Sequence, residues 1–425
     1  MLVFAALLSL AAAQTSVVSC HGDLARTRRL VARGGTEPPT RQMPAHFSEP
    51  VLIERFGYPV ETHNLTTSDG YLLTLHRIPA GSARNRAVVL QHGVTGSSAD
   101  WVLMGPGRSL GLLLADSGYD VWMTNDRGGS YSRGHTSLPA ASPKYWDFSF
   151  HEAGTLDLPT AIEYILLATS ESKLLLVAHS TGSSNILAMC ASLPAVCDKL
   201  RGVVSLAPVA GLASPRRAVL AALRQRLASF KLVARKSRVY QVQRASCRGK
   251  TAQSQLVCSN FMLGVAGYKP GDIDQEVAVA SLNYSSYSTS IKAVEHILQI
   301  MRAGRFQQFD YGAASNLRRY GTKTPPAYNL SAVSARVAIV YSSGDTLASP
   351  KDIDKLSASL PKVKNVLKVD KSIFKHFDYV LSTRARELVY DAVITLLSDL
   401  TSLFDFSSDT GVVVVSFPPQ QDTDE

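Results

Sequence analysis

Five short runs of almost unbroken apolar residues set the strongest limit on what this chain can fold into. They lie at residues 87–91 (Ala-Val-Val-Leu-Gln), 120–124 (Asp-Val-Trp-Met-Thr), 174–177 (Leu-Leu-Leu-Val), 202–206 (Gly-Val-Val-Ser-Leu) and 337–341 (Val-Ala-Ile-Val-Tyr). A strand with one wet face alternates apolar and polar side chains, so these runs predict strands covered on both faces. Helical stretches such as 108–117 and 156–167 separate several of them. The alternation implies an α/β protein with a mostly parallel central sheet and ligands at the carboxyl ends of its strands. A hairpin precedes the pattern, with strand text at 61–67, a turn at Ser68-Asp69-Gly70 and a second strand at 71–78. Of the 425 residues, 45% are hydrophobic and only 18% charged, so the chain has the means to bury a large core and does not belong to the disordered class.

Between 208 and 326 the alternation lapses into helical and irregular text, which reads as an insertion. The expected organisation is a signal peptide at 1–13, a leader or propeptide at 14–45, a core in two parts at 46–207 and 327–400 around a largely helical cap or lid at 208–326, and a tail at 401–425. Residues 2–13 are mostly apolar and end in Ala11-Ala12-Ala13, the small-residue pattern of a signal-peptidase site, although no Lys or Arg precedes them. The run is well short of the ~20 residues that span a bilayer. Secretion is the expected route, with a lysosomal destination also open. Sequons at Asn64, Asn283 and Asn329 fit that route, and Arg28-Arg29 is a candidate processing site.

Five cysteines are too few for a disulfide framework. Cys247 and Cys258 enclose a short polar loop and are the expected bridge; Cys190 and Cys197 read either as a second bridge around Pro194 or as two buried thiols. The net charge is +10, and eleven Lys or Arg with no Asp or Glu fall between 215 and 250. Such a stretch is a solvated helical face or a contact with an anionic surface. The secretory leader and the motifs below argue against nucleic acid.

The most informative segment is 173–189. A buried strand runs into Ala178-His179-Ser180-Thr181-Gly182 and then into a helix, the setting of a nucleophile elbow, in which a sharp turn projects a Ser hydroxyl. A nucleophilic Ser needs a base, and the base needs an acid to hold its tautomer. In this architecture the order is Ser, acid, His. Of ten His, only His376 follows the last acid-bearing strand, and Asp345 stands just past the run 337–341; Asp352 and Asp354 are rivals, but lie beyond Pro350 where a helix begins. His179 reads as a structural histidine beneath the elbow. The oxyanion of acyl transfer needs two main-chain donors, expected from Thr181 and from the Gly-containing loop at 90–96, with Val94 the favoured residue.

These features are joined by a resemblance to the acid lipase family, which includes gastric, lysosomal and many insect digestive lipases. It covers residues 47–400. The matching text includes residues 67–79 (Thr-Ser-Asp-Gly-Tyr-Leu-Leu-Thr-Leu-His-Arg-Ile-Pro), 146–152 (Trp-Asp-Phe-Ser-Phe-His-Glu), 304–312 (Gly-Arg-Phe-Gln-Gln-Phe-Asp-Tyr-Gly), 345–352 and 376–379 (His-Phe-Asp-Tyr). The resemblance implies an α/β-hydrolase fold, Ser180, Asp345 and His376 as triad, and Val94 and Thr181 as oxyanion donors. It also implies a cap and lid at 208–326 over the site and a lipid ester substrate, acylglycerols above all, met at a lipid-water interface. Acyl transfer by such a triad requires no metal or organic cofactor. The family usually has Leu at 94, Gly at 178, Gln or Met at 181 and Trp at 346; this chain has Val, Ala, Thr and Thr. Those departures leave a second reading open, a secreted lipid-binding or storage protein on a lipase scaffold with little turnover.

Overall fold

The computed structural model describes residues 49–81, 86–211, 288–369 and 374–401, together with the backbone of 241–242. Its centre is a nine-stranded sheet. Strands β1 (Glu61–Thr66) and β2 (Tyr71–Ile78) form the expected hairpin, in register from Glu61 opposite Arg77 to Thr66 opposite Leu72. Strand β2 also pairs antiparallel with β4 (Asp120–Met123) and β5 (Gly134–His135). From β4 the sheet continues through β3 (Ala87–Gln91), β6 (Leu174–His179), β7 (Leu200–Leu206), β10 (Val337–Ser342) and β11 (Val363–Val369), all parallel. A separate antiparallel pair joins β8 (Gln241–Val242) to β9 (Thr289–Ser290).

Side chains on a strand alternate between faces, and the central strands bury both. Val88, Leu90, Leu175, Val177, Val204, Ala338 and Val340 enter one apolar cluster. Ala87, Val89, Leu174, Leu176, Val203, Val337 and Ile339 enter the other. Helices α1 (Glu49–Arg55), α2 (Leu110–Asp116), α3 (Leu158–Thr169), α4 (Thr181–Ser192) and α5 (Ile291–Ala303) place side chains in these clusters, α6 (Ala313–Tyr320) places none, and α7 (Pro350–Ser359) and α8 (Asp391–Thr401) again do. Helix α7 begins where its sequence says it should, because Ser349 accepts a bond from the amide of Asp352 and Pro350 takes the first turn. Helix α5 opens on the Ser290 cap and stops at Gly304, whose φ of 59° ends the helical run.

One strand departs from the sequence reading, and one open alternative is decided. Strand β11 was not among the expected runs, because it is an edge strand whose text, Val-Lys-Asn-Val-Leu-Lys-Val, mixes lysine with apolar residues. Cys190, near the end of α4, is bonded to Cys197. Cys247 and Cys258 lie outside the described residues, as do the expected leader, most of the expected cap, including the basic stretch 215–250 apart from the backbone of Gln241 and Val242, and Asn283. Asn64 and Asn329 are exposed. Among the described residues no helix is long and apolar enough to cross a membrane.

Candidate active site

The parallel strands β3, β6, β10 and β11 all end on one edge of the sheet, and each is followed by a residue of interest. After β6 the chain turns at Ser180, with φ 58° and ψ −124°, and enters α4 directly. A non-glycine residue rarely adopts that backbone, which costs about 1–3 kcal/mol and persists only where surrounding structure enforces it. Here the enforcement is a bond from the Ser180 amide to the carbonyl of Leu206, 2.9 Å, and the close approach of α4 to β3. A methyl group on Gly182 would stand 2.6 Å from the carbonyl oxygen of His92 and 2.7 Å from that of Gln91. Ala178, where the family usually has Gly, is fully buried within β6, and the turn forms two residues later.

Ser180 Oγ lies 2.7 Å from His376 Nε2, and His376 Nδ1 lies 2.7 Å from Asp345 Oδ2. The three side chains come from residues 180, 345 and 376, and all are almost fully buried. A carboxylate only accepts, so in the neutral ring Nδ1 carries the proton and Nε2 is left to accept from the serine hydroxyl. Asp345 is itself oriented: its Oδ1 accepts from the amides of Leu347, 2.8 Å, and Ala348, 3.0 Å, which leaves Oδ2 for the imidazole. The rival Asp352 sits on α7 with its carboxylate on Ser349, 2.8 Å.

Beneath the elbow, His179 Nε2 donates to the main-chain carbonyl of His376, 2.8 Å. Burial first, and then the neighbouring His376 ring, pushes His179 down to about 3. It is therefore a neutral donor that pins the loop carrying His376 to the end of β6.

The loop after β3 passes beside Ser180. Gly93 has no room for a side chain, since a methyl there would meet Ser180 Cβ at 2.9 Å, and Thr95 is held at φ 64°. His92 Nδ1 donates to the carbonyl of Gly93, 2.7 Å, and its Nε2 accepts from the amide of Asp126, 3.2 Å. The Asp126 carboxylate in turn receives Gln91 and Asn185, each at 3.0 Å. His92, Asp126 and Asn185 thus tie the loop to β3 and α4. The sequence reading gave them no role, because nothing in their local text marks a partner so distant in the chain. Within this frame the amide of Val94 donates to Thr181 Oγ1 at 2.5 Å. A pocket opens beside that contact, lined by Val94, Thr181 and Asn185 together with Phe148, Phe150 and Ile297. Among the described residues no three His, Cys, Asp or Glu side chains converge to hold a metal ion.

The chain is similar to known proteins. Residues 50–105 match the model of a partial alpha/beta-hydrolase lipase region, and residues 86–379 match that of the alpha/beta hydrolase fold. The chain is 35% identical to Lipase 1 of Drosophila melanogaster over 81% of its own length and 78% of that protein's. The chain belongs to the acid lipase family. Within it, gastric triacylglycerol lipase of Bos taurus and lipase member K of Homo sapiens are each 32% identical, over 82% of this chain and 90% of theirs. As a family member on the α/β-hydrolase fold, the protein is a carboxylic ester hydrolase of the lipase kind.

Proposed function

We propose that the protein is a secreted lipase that hydrolyses acylglycerol esters through an acyl-enzyme on Ser180. The observation that carries this reading is the unbroken series of bonds from Ser180 Oγ through the His376 ring to Asp345, two contacts of 2.7 Å each. In the proposed cycle His376 Nε2 takes the proton of Ser180 as Oγ attacks the ester carbonyl, and Asp345 stabilises the resulting imidazolium. The negative oxygen of the tetrahedral intermediate is received by the amides of Val94 and Thr181. Collapse breaks the bond to the leaving alcohol, which takes the proton back from His376. Water, activated by the same ring, then attacks the acyl-enzyme, releases the fatty acid and restores Ser180. The strained φ of Ser180 keeps its hydroxyl at the strand ends where both partners converge.

Secretion rests on residues 1–13 and on the exposure of Asn64 and Asn329, where glycans would be tolerated. The stretch 215–250, most of it beyond the described residues, is the proposed contact with an anionic lipid surface. Rates on a soluble short-chain ester and on an emulsified triglyceride test the substrate class. Hydrolysis of both is expected, with the triglyceride rate rising steeply once an emulsion forms. Hydrolysis of the soluble ester alone contradicts the lipase assignment, and hydrolysis of neither favours a lipid-binding or storage protein on this scaffold.

A further inference from the structure

The two amides assigned to the oxyanion are not equally available. The Val94 amide has one proton, and that proton is already directed at Thr181 Oγ1, 2.5 Å away. The acceptor is the side chain of the same residue that supplies the second amide of the pair. An incoming oxygen needs both nitrogens at about 2.7–3.1 Å with their protons turned to it. The Val94 proton cannot serve it fully while its bond to Oγ1 stands. We infer that the Thr181 hydroxyl is a built-in occupant of the oxyanion hole, displaced by rotation about χ1 as the tetrahedral intermediate forms, and that it thereby sets the rate of ester hydrolysis. The inference rests on the hydrolase reading above.

The surroundings suit such a gate. Thr181 is the first residue of α4 and almost fully buried, and its neighbours Ser180 and Gly182 are fixed by the elbow and by the carbonyls of Gln91 and His92. The main chain therefore stays in place while the side chain turns. Threonine in a helix divides between two χ1 wells, unlike valine or isoleucine. Its Cβ bears an oxygen, a methyl and a hydrogen, so the rotation that turns the hydrogen towards Val94 frees that amide. Exchange of the neutral hydroxyl for a charged oxygen favours opening at the tetrahedral stage, because hydrogen bonds to ionised acceptors are about twice as strong. The planar ester carbonyl gains much less from the same exchange. The occupant should therefore act on kcat more than on KM, and against tetrahedral ligands more than planar ones. Gln or Met at this position, the usual residues of the family, carries no β-hydroxyl, so the device belongs to this chain's own substitution.

The competing role gives the opposite sign. If the hydroxyl stayed on Val94 and donated its own proton to the oxyanion, removing it would slow the enzyme. Two experiments separate the roles. The first is a crystal structure of the wild-type protein labelled with an alkyl phosphonate. The expected adduct has its phosphoryl oxygen bonded to both amides and Oγ1 turned away from Val94; Oγ1 still on the Val94 amide would overturn the inference. The second is Thr181→Ala on a soluble short-chain ester. Loss of one neutral hydrogen bond to be broken predicts a roughly two- to tenfold rise in kcat, KM within about twofold, and a matching gain in affinity for a trifluoromethyl ketone. Thr181→Ser, with a hydroxyl restored, should reverse most of that gain. A fall in kcat for Thr181→Ala in an assay where the wild type turns over sinks the gate and leaves the hydrolase reading standing. A wild-type protein that neither labels nor turns over sinks both. Should Thr181→Ala fail to fold, the labelled wild-type structure decides.

Discussion

At the residue scale the site depends on how little space Gly182 leaves. A methyl there would press on the carbonyl oxygens of Gln91 and His92, both main-chain atoms that cannot swing aside. Gly182→Ala should therefore destabilise the fold by about 1–3 kcal/mol in denaturant titration. It should also lower ester hydrolysis at least tenfold, since the displaced loop carries Val94; stability and rate both at wild-type levels would show that α4 does not need this approach. The need for small residues around Ser180 was legible in the local text, because a strand, a turn and a helix in succession leave few alternatives. The bond between Val94 and Thr181 was not, as the two lie 87 residues apart and only the meeting of two strand ends brings them together. His179 shows the same division: its structural role was readable from its place beneath the elbow, whereas its partner, the carbonyl at 376, was not.

At the element scale, α5 is held to the core through a buried histidine. His296 stacks on Phe150 with ring centroids 3.9 Å apart, and its Nε2 donates to the carbonyl of Gln307, 2.9 Å. Burial, partly offset by that bond, pushes its pKa down from 6.5 to about 4. A folded value below the unfolded one means the unfolded chain takes the proton first. The stability is therefore complete above about pH 6.5 and lost as pH falls towards 4. Across that range the wild type should lose up to about 3 kcal/mol more unfolding free energy than His296→Gln. Equal losses in both proteins would remove His296 as the source of acid sensitivity. The elements most readable in the sequence were those with two buried faces, β3, β4, β6, β7 and β10, whose apolar runs are too short for buried helices. Strand β11 escaped because a sheet edge tolerates lysine, and the Cys190–Cys197 bond stayed one of two readings because spacing alone suits a bridge and two thiols equally.

At the scale of the whole molecule, the sheet gathers residues 94, 180, 345 and 376 onto one edge, and two apolar clusters, one on each face, hold the strands in that order. The fold class was legible because alternation of covered strands with helices admits few sheet architectures. The expected insertion at 208–326 rests only on a lapse in that alternation, which has no period of its own to read. The central claim is that Ser180 is the nucleophile, and intact-mass analysis after treatment with an alkyl fluorophosphonate tests it most directly. The wild-type protein should gain one phosphonyl group, located on the peptide containing Ser180, and lose ester hydrolysis in proportion, while Ser180→Ala should neither label nor hydrolyse. A Ser180→Ala protein that still takes up the reagent and turns over ester at the wild-type rate would contradict the account.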